Sequence, residues 1–101
     1  SLGNDEFFHP EVAAVNKFRQ QMNGQKEDIQ MTDNGEVLVV NRGKKGAAVV
    51  NISGLSNFVN VPTGLPNGTY RDQVYGKEFK VNKGRLTGIA APHRTYILVK
   101  K

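Results

Sequence analysis

Two periodicities divide this chain. Val12, Val15, Phe18 and Met22 recur at spacings of three and four, which draws a single apolar stripe along a helix. From Glu36 onward the pattern changes to short β-branched or alternating runs separated by glycine turns, the signature of strands. The seam falls at Gly24, a residue suited to the left-handed stop after a helix. Pro10 suits the first helical turn, where its missing N–H would have no partner anyway. His9 stands at the N-cap, a weaker choice there than Asp or Ser. Asp5, Glu6 and Glu11 lie toward the positive end of the helix dipole, with Lys17 and Arg19 further along.

Beyond the seam, residues 27–32 are ambiguous between extended and irregular chain. Asp33-Asn34-Gly35 is a turn, and 36–41 is a β-branched run of strand length. Residues 42–46 form a glycine-bracketed hairpin loop leading into 47–52. Both flanking runs are nearly continuously apolar, which places them at the centre of a packed sandwich. Residues 58–61 and 78–81 alternate as half-buried strands do. The runs 69–72, 85–87 and 95–99 complete the set, with turns at 65–68 and 82–84. The expectation is an all-β, antiparallel Greek-key sandwich or barrel of about seven strands, preceded by one amphipathic α-helix.

The chain has 101 residues, enough for one modest core. It contains no cysteine, so disulfides and thiolate metal sites are excluded, as fits a cytosolic or a secreted bacterial setting. No apolar run approaches the ~20 residues of a membrane span. The net charge of +5 gathers at Arg42, Lys44 and Lys45 and again at Lys77, Lys80, Lys83 and Arg85. A nucleic-acid reader would join such a patch to exposed aromatics or a recognition helix. Solvated turn lysines account for it more simply, and neither nucleic acid nor a membrane is expected as a partner.

Candidate chemistry is sparse. The nine carboxylates sit at the helix start, in turns or at strand ends, and none lies within an apolar run that would make it a general acid. His9 and His93 are far apart, with no second ligand at metal-binding spacing. Ser53 and Ser56 lack the sharp strand-to-helix turn of a nucleophile. Residues 42–46 look superficially like a phosphate loop, but a strand follows where a helix is needed. Tyr70, Tyr75 and Tyr96 are the candidates for weak surface contact with a sugar ring. Core or turn packing competes for each of them.

Four segments in order carry a family resemblance: "PEVAAVNKFRQQMNGQ", "VLVVNRGKKGAAVVNIS", "LPNGTYRDQV" and "FKVNKGRLTGIAAPHRTYIL". Together they resemble the carboxyl end of bacterial α-amylases of the Bacillus type. The matching motifs fall at 14–18, 42–46, 65–70 and 84–89. Departures are Ala91-Pro92-His93-Arg94, where relatives have a short Ala-Arg-Ser approach, and His9, where many have Asp.

The resemblance implies that 1–24 is the terminal helix of a (β/α)₈ catalytic barrel and 25–101 the C-terminal β-domain. It implies that the family's carboxylate nucleophile, Glu acid/base and third Asp lie on barrel strands upstream, as does its calcium site. No catalytic residue, metal or cofactor is therefore expected in this chain. A barrel alone needs ~250 residues. The expected role is a non-catalytic domain that stabilises the barrel of an extracellular starch-degrading enzyme, with a cytoplasmic setting as the alternative. Expected partners are that barrel in cis and α-glucan, with self-association through the Val12, Val15, Phe18 and Met22 stripe if the barrel is missing. The alternatives are a free-standing carbohydrate-binding β-module and a small basic nucleic-acid-binding β-barrel.

Overall fold

A computed structural model describes residues 9–101; Asp5 and Glu6, expected at the helix start, lie outside the described residues. Helix α1 runs Pro10–Gln21. His9 is extended and its Nδ1 accepts the Glu11 N–H at 3.1 Å, so an imidazole does the capping that a carboxylate or hydroxyl more often does. Gly24 follows the helix with φ +87°, the conformation that favours glycine.

Eight strands follow among the described residues: β1 Glu27–Met31, β2 Val37–Arg42, β3 Gly46–Asn51, β4 Asn57–Pro62, β5 Gly68–Arg71, β6 Glu78–Asn82, β7 Arg85–Ala90 and β8 Thr95–Val99. They form two four-stranded sheets, ordered β1-β2-β3-β8 and β4-β7-β6-β5, with every pair antiparallel. The chain crosses between sheets after β3 and after β7, and β4 lies beside β7 rather than β5. This is a Greek-key sandwich. The eighth strand is β1, the ambiguous stretch, which pairs only with β2 at the sheet edge.

Val37, Val39, Val49, Tyr96 and Leu98 from the first sheet meet Val59, Val61, Phe79, Val81 and Leu86 from the second in one core. Gly88 faces this core opposite Val59, where a Cβ would overlap the Phe79 ring. Three buried asparagines tie the strand ends together. Asn51 donates to the carbonyls of Leu55, Ala90 and Ala91 and accepts from the Ser53 N–H. Asn57 donates to Glu36, and Asn41 accepts from the Thr63 hydroxyl at 2.7 Å. Such groups are tolerable in a core only because each is satisfied.

Helix α1 lies on the outer face of the first sheet. Phe18 and Met22 are buried there against Ala48 and Ile97. Gly46 provides the notch, since a Cβ would come within 2.7 Å of the Phe18 ring and 2.9 Å of the Met22 sulfur. The Arg42 guanidinium donates to the Met22 and Gln25 carbonyls at 3.1 Å each, satisfying acceptors at and just beyond the helix end. Thus one member of the expected basic cluster is a structural cap. The stripe also divides: Phe18 and Met22 are covered, Val15 is half-buried and Val12 is 58% exposed. A self-associating face made of all four residues is not present.

Candidate functional site

The three tyrosines do not form one platform. Tyr96 is buried in the core, edge-on to Phe79 with ring centroids 5.1 Å apart. Its hydroxyl accepts the Ala91 N–H at 2.7 Å. A surface contact through Tyr96 is therefore excluded, because strand β8 turns this side chain inward beside Val49. Tyr70 is half-buried against the same core, and its hydroxyl donates to the Pro66 carbonyl at 2.6 Å. Burial pushes the Tyr70 phenol above its ordinary pKa. Tyr70 lines a shallow cleft with Asn67, Arg71, Val99 and Lys100, apart from the other two.

Tyr75 is the open one, 40% exposed. It lies in the turn between β5 and β6, and buried Asp72 shapes that turn. The Asp72 carboxylate accepts the N–H groups of Val74, Tyr75 and Ile97, the last at 2.7 Å. One side chain thereby fixes the turn and fastens it to the opposite sheet. The Tyr75 hydroxyl donates to the Glu11 carboxylate, which also accepts the Thr95 N–H at 3.0 Å. The Arg94 guanidinium carbon stands 4.2 Å from the Tyr75 ring centroid, a cation–π arrangement. The hydrogen bond to Glu11, then burial and the Glu11 charge, raise the Tyr75 phenol to about 12. Around it lies a cleft of about 460 Å³ lined by Ser56, Tyr75, Lys77, Ile89, Ala91 and Arg94.

The two outer faces of the sandwich differ in kind. On the first sheet, register puts Ile29 opposite Val40, Met31 opposite Leu38, and Leu38 opposite Val50. Ile29 and Met31 are 57% and 54% exposed, so this face is apolar beyond the helix's edge. Where the helix meets it, Val15, Phe18, Val40, Ala48 and Val50 line a groove of about 310 Å³. On the second sheet the outward positions include Asn60, Thr87, Lys80, Arg85 and Asn82, with Phe58 standing out at 61% exposure opposite Ile89. The alternation of 58–61 already carried this signal: with Val59 and Val61 inward, Phe58 must face out.

Each carboxylate with a partner here has a structural one. Asp28 accepts from Gln30 and Asn41, Glu36 from Asn57, and Glu78 pairs with Arg71 at 3.1 Å. Among the described residues no group of three or more His, Asp or Glu side chains could hold a metal ion. No helix among them is long and apolar enough to cross a membrane.

No protein-family model matches the chain. By sequence it is similar to an α-amylase of Clostridium acetobutylicum, 34% identical over 92 residues, which cover 90% of this chain and 12% of that protein. It is also 31% identical to an α-amylase of Butyrivibrio fibrisolvens, covering 100% of this chain and 11% of the relative. The chain thus spans about an eighth of the length of these relatives or less. By fold it is similar to part of the crystal structure of α-amylase I from Eisenia fetida, a variant in complex with maltohexaose. That match has a TM-score of 0.77 at 18% identity, covering 95% of this chain and 23% of the other.

Proposed function

This chain is homologous, along nearly its whole length, to one segment of the α-amylases, and on that premise we propose that it is a non-catalytic C-terminal β-domain whose main role is to stabilise a catalytic barrel. The parent hydrolyses α-1,4-glucosidic bonds of starch with retention, using carboxylates held outside this chain. Its calcium site, like its catalytic residues, belongs to the part of the parent not seen here. A retaining glycosidase needs two carboxyl groups ~5–5.5 Å apart across a sugar, and the Asp and Glu partners described above are turn, strand and helix groups. A polymeric substrate makes the extracellular setting the reasonable one.

The observation that carries this reading is the match over 90–100% of the chain against only 11–12% of the relatives. The apolar outer face of the first sheet supports it. Ile29, Met31, Leu38, Val40 and Val50, with Val12 from the helix, make a surface of the kind that seeks cover. We assign that cover to the barrel in cis, with α1 as its last helix. The helix is fastened to the β-domain at Glu11, Phe18, Met22 and Arg42, and it presents Val12 outward.

Amylolysis tests the reading. The chain alone, incubated with soluble starch, should release no reducing sugar, while the longer polypeptide encoded with it should. Release by the chain alone, lost on changing one of its carboxylates, overturns the reading.

A further inference from the structure

The two outer faces imply different fates. An apolar face is covered in a larger protein, whereas a sheet face of Asn60, Thr87, Lys80 and Arg85 is at home in water. On that second, wettable face Phe58 is the anomaly, an aromatic ring 61% exposed. It is not isolated. Ile89 lies directly opposite it on β7 and also lines the cleft with Ser56, Tyr75, Lys77 and Arg94. An apolar lip and a polar cleft therefore share one corner of the molecule.

We propose that this corner binds an α-glucan chain, with one glucose ring resting on Phe58 and Ile89 and the next entering the cleft. A pyranose ring has an apolar C–H face and a rim of hydroxyls. It is held by an apolar or aromatic surface beside a few fixed polar groups. Ser56, Lys77 and Arg94 are those groups. Arg94 is oriented by its stacking on Tyr75, and Tyr75 in turn by its hydrogen bond to Glu11, so part of the ordering cost of binding is met beforehand. That stacking also sets the division of labour. Arg94 occupies one face of the Tyr75 ring, so Phe58 rather than a tyrosine is the ring a sugar can rest on. The choice of α-glucan among polysaccharides rests on the amylase reading above.

The test is electrophoresis of the 101-residue chain through native gels with and without amylopectin, with carboxymethylcellulose as the contrasting polymer. Retardation by amylopectin is expected, falling at least about fivefold in Phe58→Ala and also in Lys77→Ala, but unchanged in Ile29→Ala on the opposite face. Circular dichroism should show Phe58→Ala folded, since its ring is outside the core. Absent retardation, equal retardation of Phe58→Ala, or equal retardation by carboxymethylcellulose overturns the proposal. So does retention by nucleic acid that displaces amylopectin and falls steeply with salt. Amylolysis by the longer polypeptide without retardation removes this site and keeps the parent reading. Retardation lost in Phe58→Ala without such amylolysis does the reverse.

Discussion

The Tyr75 hydroxyl donates to the Glu11 carboxylate, joining a turn of the second sheet to the first turn of the helix across 64 residues of sequence. The same carboxylate takes the backbone N–H of Thr95 at the start of β8. One acidic side chain thus fixes the helix to both sheets at once. At the other end Arg42 reaches the Met22 and Gln25 carbonyls, and between them Phe18 fills the notch above Gly46. The seam in the sequence is a joint with three fastenings.

The pH behaviour of that joint follows from its direction of shift. The Tyr75 phenol is raised to about 12, above the value near 10 of an unfolded tyrosine. Its contribution to stability is therefore complete below about pH 10 and is lost as pH rises through about 12. A spectrophotometric titration of the tyrosinates should include a group that ionises as late as about pH 12. Glu11→Gln should bring that group back toward the ordinary range, and an unchanged titration would contradict the pairing.

Gly46→Ala tests the notch. The added methyl group meets the Phe18 ring and the Met22 sulfur, with the Leu98 carbonyl 3.1 Å away, so the helix side chains must shift before the sheet backbone does. A loss of about 1–3 kcal/mol is expected in urea unfolding, with reduced helical signal and the β spectrum kept. Unaltered stability would mean that the helix does not sit in this groove.

Asp72 is a stronger case. Replacing it with Ala removes an acceptor from three backbone N–H groups and leaves the Ile97 donor stranded in the interior. The expected cost is about 3 kcal/mol or more, read from chemical denaturation, with Asp72→Asn less damaging because it keeps one acceptor oxygen.

Among the described residues two non-glycine residues stand in the left-handed region, Lys83 with φ 52° and His93 with φ 51°. Lys83 shares a two-residue hairpin turn with Gly84, where Asn is better suited. Lys83→Asn should raise stability by up to about 1 kcal/mol, seen as a higher melting temperature.

The helix is legible because its apolar residues keep the helical period, and seven of the eight strands because their β-branched or alternating runs stand between turn residues. Strand β1 is not, because its polarity is inverted. Asp28 and Gln30 take the side of the sheet that faces its partner, exposed Asp28 meeting the Asn41 amide at the rim, while Ile29 and Met31 point out. Such a strand fits the cover proposed for its outer face, which the pattern of this chain does not reveal. The sequence leaves Tyr96 between core and surface for a different reason. Residues 95–99 are too continuously apolar for alternation to tell inside from outside. Asp72 looked like a turn residue and is one, but that its carboxylate reaches across to β8 depends on the packing of two sheets.

On the proposed function, the outer face of the β1-β2-β3-β8 sheet is covered by the catalytic part of a larger α-amylase. The chain has two methionines, and they probe this directly. Met22 is buried under the helix, while Met31 is 54% exposed on the face in question. Oxidation by hydrogen peroxide, followed by mass spectrometry, should convert Met31 to the sulfoxide readily in the isolated chain and leave Met22 slow. In the complete polypeptide Met31 should become as slow as Met22. Equal, rapid oxidation of Met31 in both would show that this face stays open in the complete polypeptide.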